Sequence, residues 1–192
     1  MPIPIPQINI KQALKGRNLY LIGMMGCGKS ATGNPLAKQI GYGFVDADSV
    51  VEKVAGKSIQ QIFAEDGEEN FRLLESQVLI SIGQRHSLVV ATGGGVVMRS
   101  QNWGVLHQGI VIWLDVDRTR LINRLRSDKS QRPLLNMKNA ESELDALLQL
   151  RQSFYSEADL RISVRDETPE DITHKIISNL PDLLIDPQDR GV

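Results

Sequence analysis

Cysteine is almost absent. The one thiol, Cys27, leaves no partner for an internal disulfide and excludes a cysteine-based metal cluster. A reduced, intracellular setting is the simplest expectation from that usage. No sign of charge predominates either: 23 acidic residues against 22 basic ones leave a formal charge of -1. Such a balance offers no general attraction for nucleic acid, although a local basic cleft for an anionic ligand remains open. No apolar run approaches the roughly 20 residues of a membrane-spanning helix. The start, Met1 to Pro6, lacks the positive n-region and apolar stretch of a secretory signal, and it lacks the Arg- and Ser-rich character of a transit peptide. The expectation is a cytoplasmic protein with neither a membrane nor a nucleic-acid partner. At 192 residues the chain suits one domain and can bury a continuous core.

What is present is centred on Gly23-Met24-Met25-Gly26-Cys27-Gly28-Lys29-Ser30, a full match to the G-x-x-x-x-G-K-[ST] phosphate loop. Its setting is right: the apolar run from Asn18 to Ile22 reads as a buried strand, and Ser30 to Gln39 reads as a helix. Glycines let the backbone turn tightly and bring N–H groups round an anion, and the helix start adds orphan donors and the positive end of its dipole. Lys29 is expected on the β- and γ-phosphates of a nucleotide, and Ser30 on Mg²⁺. Cys27 most simply fills space in the loop.

The rest of the chain alternates strands and helices. Three prolines in residues 1–9 favour an extended arm, and residues 10–15 suit one or two helical turns. Gly41 is placed to end the P-loop helix. Tyr42 to Val45 leads into Asp46-Ala47-Asp48, two carboxylates that point the same way if the backbone stays extended. Helices are expected over residues 49–55, with Asp48 or Ser49 as cap, over 58–64 and over 68–83. Ser87 to Ala91 and Ile110 to Leu114 read as buried strands. The first is followed by Gly93-Gly94-Gly95, a turn that suits close approach of a ligand to the backbone. Asp117 is a candidate cap for a helix through Arg126. Residues 126–135 are basic and weakly periodic, which suits a mobile segment over an anion. A helix over 141–155, a strand over 160–164, a helix over 171–180 and a polar tail over 181–192 complete the chain. This order predicts a three-layer α/β/α sandwich around a mainly parallel sheet. Ligands of such a sheet bind beyond the carboxyl ends of its strands, where Gly23, Asp46, Asp48 and Gly93 to Gly95 all fall.

These residues resemble shikimate kinase, a small member of the nucleoside-monophosphate-kinase-like branch of P-loop proteins. The likeness runs from about Asn18 to Leu180. It rests on Gly23 to Ser30, Asp46-x-Asp48, Gly56-x-Ser58-Ile59-x-x-Ile62-Phe63, Gly67-Glu68, Phe71-Arg72-x-x-Glu75, Gly93 to Gly95, Arg132-Pro133-Leu134-Leu135 and Arg151-x-x-x-Tyr155-x-x-Ala158-Asp159. The resemblance implies a five-stranded parallel sheet of order 2-3-1-4-5, and phosphorylation of shikimate to shikimate 3-phosphate by ATP with Mg²⁺ in aromatic amino-acid synthesis. It also implies a monomer whose single domain spans 18–180 between an N-terminal extension (1–17) and the tail, with an acceptor region near 46–83 and a lid near 126–138. Nucleotide binding would fall to Gly23, Met24, Met25, Gly26, Cys27, Gly28, Lys29, Ser30, Ala31, Arg126 and Arg132. Acceptor binding would fall to Asp48, Arg72, Gly93, Gly94, Gly95 and Arg151, and metal binding to Ser30 and Asp46. Lys29, Asp48 and Arg132 would be the catalytic groups.

The chemistry agrees with that assignment. A small anionic polyol needs a charged clamp at one end, which Arg72 and Arg151 supply as bidentate donors, and an oriented acceptor of hydroxyl protons, which Asp48 supplies. Glu75, three residues after Arg72, is placed to hold that arginine. Three departures from the family pattern stand out. Ala31 replaces a second hydroxyl residue, Asn34-Pro35 lies early in the P-loop helix, and Gln131 is an extra residue before Arg132. The last leaves the adenine side between Arg124 and Arg126, with Arg126 favoured. Pro35 is expected to distort the helix or weaken nucleotide binding. Other readings are a related small-molecule kinase such as a gluconate kinase, a kinase-derived regulatory protein without turnover, and a plain α/β domain. The first is separated by comparing acceptors, the second by binding without product, and the third is weak against an intact P-loop.

Overall fold

Short apolar runs separated by capped helices give regular alternation in the computed structural model, which describes residues 9–127 and 139–184. In order these are α1 (Ile10–Ala13), β1 (Leu19–Ile22), α2 (Lys29–Ile40), β2 (Gly43–Asp46), α3 (Ala47–Ala55), α4 (Ile59–Glu65) and α5 (Gly67–Gly83). Then come β3 (Leu88–Ala91), a 3-10 turn (Val96–Met98), α6 (Ser100–Leu106), β4 (Ile110–Val116), α7 (Arg118–Ser127), α8 (Ala140–Tyr155), β5 (Leu160–Val164) and α9 (Pro169–Leu184). All strand pairs are parallel and the order is β2-β3-β1-β4-β5, as expected. Burial follows position: β1 is buried throughout, whereas edge strand β5 alternates, because only central strands are covered on both faces.

Adjacent β1 side chains show the layers. Leu21 faces α2, where a Cβ on Gly33 would lie 3.3 Å from its Cδ1; Tyr20 faces the other way, 3.7 Å from the same test atom on Gly83 of α5. Neighbouring strand residues point to opposite faces, so α2 and α5 cover opposite sides of the sheet. Asn18 joins three strands at their amino ends: its side chain donates to Arg85 O (2.8 Å) and accepts from Leu88 N (3.0 Å), and its carbonyl accepts from Ile110 N (2.9 Å). Asp159 ties the β5 edge to β4 by accepting from Val111 N at 2.7 Å.

Three local expectations change. Asp46 caps α3, accepting from Ser49 N at 3.2 Å, so neither Asp48 nor Ser49 is the cap. The helix therefore starts at Ala47 and the backbone does not stay extended through the pair. Helix α2 runs unbroken through Pro35; the missing N–H leaves only the Ala31 carbonyl without its helical donor. Helix α9 starts at Pro169 and continues through Pro181 to Leu184, into the stretch read as tail, because Leu180 is fully buried and Leu184 packs on the core. The expected lid falls mostly on 128–138, outside the described residues. Among the described residues no helix is long and apolar enough to cross a membrane.

Candidate active site

Parallel pairing sends β1, β2 and β3 out on one edge, where β2 ends in Asp46 and β1 and β3 lead into Gly23 and the Gly93–Gly95 turn. After β1 the chain turns through Gly23, Gly26 and Gly28, at φ 141°, 77° and 100°. These left-handed values favour glycine and curl the loop back on itself. Lys29 and Ser30 open α2. Lys29 is 9% exposed, and its ammonium donates to Gly23 O (2.9 Å) and Met24 O (3.1 Å), with Cys27 Sγ at 3.6 Å. It is thus folded over the loop that it would otherwise share with phosphate. Ser30 Oγ donates to Asp46 Oδ2, which brings the two expected metal groups into contact while the other Asp46 oxygen caps α3.

Asp48 lies in the first turn of α3 and faces the glycine turn after β3. A Cβ on Gly93 would lie 2.9 Å from Asp48 Oδ1 and 2.2 Å from Glu75 Oε1. On Gly95 it would lie 2.5 Å from the Arg72 guanidinium carbon, and on Gly94 3.4 Å from Arg151 Nη1 and 3.3 Å from Met25 N. The crowding is severe at Gly93 and Gly95 and tight at Gly94. Asp48, Glu75, Arg72, Arg151 and the P-loop thus converge as a wedge of groups on this one turn.

The arginines are buried and differently held. Arg72 Nη1 donates to Glu75 Oε2 at 2.8 Å and Nη2 to Glu68 Oε1 at 3.2 Å. Arg151 is 2% exposed, rests its Nη1 3.8 Å from Met24 Sδ, and has a buried Nε with no hydrogen-bond partner among the described residues. Burial pushes the Glu75 carboxyl above its ordinary value, against the opposing charge and hydrogen bond of Arg72. Burial likewise raises Asp48, opposed chiefly by Lys29 and reinforced by Asp46.

The two arginines weighed for the adenine side are held differently. Arg124 Nη1 donates to Gly26 O and Cys27 O, each at 3.2 Å, whereas Arg126 is exposed and ion-paired with Glu141. Helical spacing gave no means of choosing between them. Glu68 was legible as the residue four before Arg72, but its bond to Arg72 was not anticipated, nor was the Tyr155 hydroxyl on Gly94 O at 2.6 Å. Arg132 and Gln131 lie outside the described residues.

A family model described as Shikimate kinase matches residues 25–181. The chain belongs to the shikimate kinase family. A shikimate kinase of Synechococcus sp. (strain CC9902) is 58% identical over 96% of this chain and 97% of its own length. One of Prochlorococcus marinus (strain MIT 9313) is 56% identical over 97% and 95%. The structure of a shikimate kinase from Acinetobacter baumannii in complex with shikimate gives a TM-score of 0.86 at 35% identity, covering 92% of this chain and 99% of that one. A gluconokinase from Sinorhizobium meliloti 1021 reaches a TM-score of 0.58 at 17% identity, a likeness of fold alone. As a shikimate kinase family member the chain is an ATP-dependent enzyme that phosphorylates shikimate to shikimate 3-phosphate in aromatic amino-acid biosynthesis.

Proposed function

We infer a division of labour for that reaction in which the glycine turn lines the acceptor site where it meets the P-loop. The observation that carries it is the wedge itself: Gly95 against Arg72, Gly93 against Asp48 and Glu75, and Gly94 between Arg151 and the P-loop backbone. Arg72 and Arg151 clamp the shikimate carboxylate, with Glu75 and Glu68 fixing Arg72. Asp48 orients the attacking hydroxyl and takes its proton as the new O–P bond forms and the bond to ADP breaks. Its raised pKa favours that acceptance. Lys29 leaves the Gly23 and Met24 carbonyls to meet the β- and γ-phosphates, and Arg124 braces the loop beneath them. Arg132 is assigned to the phosphates, and Arg126, exposed on the last turn of α7, to the adenine side.

The fit of Mg²⁺ rests on Ser30 and Asp46, two oxygen donors already in contact at the helix start. Among the described residues no group of three or more His, Cys, Asp or Glu forms a metal cage, which suits a cation held largely by phosphate and water. Ser30 would hold it directly and Asp46 through water. When bound it would neutralise charge on the β- and γ-phosphates. A monomer acting on a small molecule is the assembly that the family resemblance implies. The domain boundaries of the sequence reading are retained, with α9 extended to Leu184.

The test is ADP release with Mg-ATP in the presence of shikimate, quinate, gluconate or no acceptor, with product mass measured. Shikimate-dependent turnover and a product heavier by one phosphoryl group are expected. Turnover on gluconate alone would overturn the acceptor assignment.

A further inference from the structure

Gly93, Gly94 and Gly95 have little backbone preference of their own, so each peptide between them can rotate at small cost. A turn of three glycines needs outside contacts to keep one orientation. The fold provides a donor for five consecutive carbonyls here. Gly93 O accepts from Val96 N at 3.3 Å and Gly95 O from Met98 N at 3.0 Å. Val96 O accepts from Asn102 Nδ2 at 2.7 Å and Val97 O from Trp103 Nε1 at 3.0 Å. Gly94 O accepts from the Tyr155 hydroxyl at 2.6 Å, the shortest of the five and the one that reaches the glycines from a distant helix. Among the described residues the Gly94 and Gly95 N–H groups have no corresponding partner.

We propose that Tyr155 is a positioning residue for the acceptor site, its hydroxyl fixing the Gly94–Gly95 peptide so that the Gly95 N–H is presented to shikimate. The Gly94 carbonyl and the Gly95 N–H share one planar trans peptide and point in opposite directions. Tethering the carbonyl to Tyr155 therefore turns the N–H away from α8 and holds it there. Without the tether the peptide is free to flip, because neither flanking residue has a Cβ to resist. Tyr155 is a firm post: 2% exposed, its ring stacked on Trp113 at 5.8 Å. Burial raises its pKa, so the hydroxyl keeps its proton through the neutral range. Arg151 lies one turn earlier on the same helix, against Gly94. One helix thus carries both an arginine of the clamp and the tether that orients the turn beside it. This inference rests on the reading that shikimate lies against the glycine turn.

Y155F removes the hydroxyl and keeps the ring on Trp113. Initial rates over both substrates should show KM for shikimate raised about tenfold, with KM for ATP and Tm nearly unchanged. A wild-type KM for shikimate, or equal losses for both substrates with a lower Tm, would overturn the positioning role. R72A is measured alongside. If R72A weakens shikimate and Y155F does not, only the Tyr155 role fails; if neither does, the acceptor site itself is misassigned. A second readout needs no variant: with ¹⁵N-glycine labelling, the Gly95 amide resonance of the wild-type chain should shift on adding shikimate. An unmoved resonance would overturn the proposal.

Discussion

Lys29 shows how far a single side chain can be read in advance. Its place in the P-loop was legible, but its bonds to Gly23 O and Met24 O arise only because the glycine turn brings those carbonyls back over the helix start. Lys29→Ala should lower kcat on the order of 10²–10³-fold, the usual loss for a donor that stabilises developing charge, in a protein that still melts cooperatively. Near-wild-type kcat would remove Lys29 from catalysis. Gly95→Ala places a methyl 2.5 Å from an arginine that Glu75 and Glu68 hold in place. KM for shikimate should rise about tenfold or more, ~1.4 kcal/mol, with KM for ATP little changed, as steady-state rates would show. Asp48 gives a prediction of opposite sign for stability and activity. Its folded pKa is raised above the ordinary 3.8, so its favourable contribution is complete below that value and is lost as pH rises through the folded pKa. At pH 7 the ionised, desolvated carboxylate lowers the stability of the ligand-free protein. Asp48→Asn should therefore raise Tm at pH 7 while abolishing turnover, with the gain shrinking as melts are repeated toward pH 4. A lower Tm at pH 7 would contradict the argument.

At the scale of elements, periodicity and caps carried most of the information. Ser58 caps α4 in a reciprocal box with Gln61, and Gly41 and Gly56 end α2 and α3 in left-handed conformation, each at the residue where the sequence suggested a stop. What failed were local details that depend on the chain's tertiary setting. The cap of α3 went to Asp46, whose other carboxylate oxygen accepts from Ser30, and α9 passed Pro181 because Leu180 and Leu184 are held by the core. Pro35 belongs with these, since local rules predicted distortion and packing overrode them. It lies beyond the first turn that carries Lys29 and Ser30, so its effect should fall on stability and not on nucleotide. Pro35→Ala restores a donor to the Ala31 carbonyl, partly offset by a freer unfolded chain. The net gain should be ~1–2 kcal/mol in urea unfolding, with KM for ATP unchanged. A fall in KM for ATP would show that the proline does reach the phosphate site.

For the whole molecule, sheet order separates two jobs to opposite edges. The carboxyl ends of β1, β2 and β3 carry the wedge of charges and glycines, which the sequence marked because each strand was followed by chemistry-bearing residues. The amino ends are held by Asn18, and nothing local marked it: an asparagine before a strand reads as a loop residue until β3 and β4 lie on either side of β1. Its side chain is 5% exposed as a residue and joins Arg85 O to Leu88 N. Asn18→Ala would leave a carbonyl and an N–H short of partners in a place that water reaches poorly. Each such loss costs about 1–3 kcal/mol, so unfolding free energy should fall by ~2–6 kcal/mol in total. Because the site is built at the far ends of these strands, KM for both substrates should stay at the wild-type value below the melting range. If the variant instead lost affinity for shikimate at unchanged stability, the two edges would be coupled through the strands, and the separation of scaffold from site would be wrong.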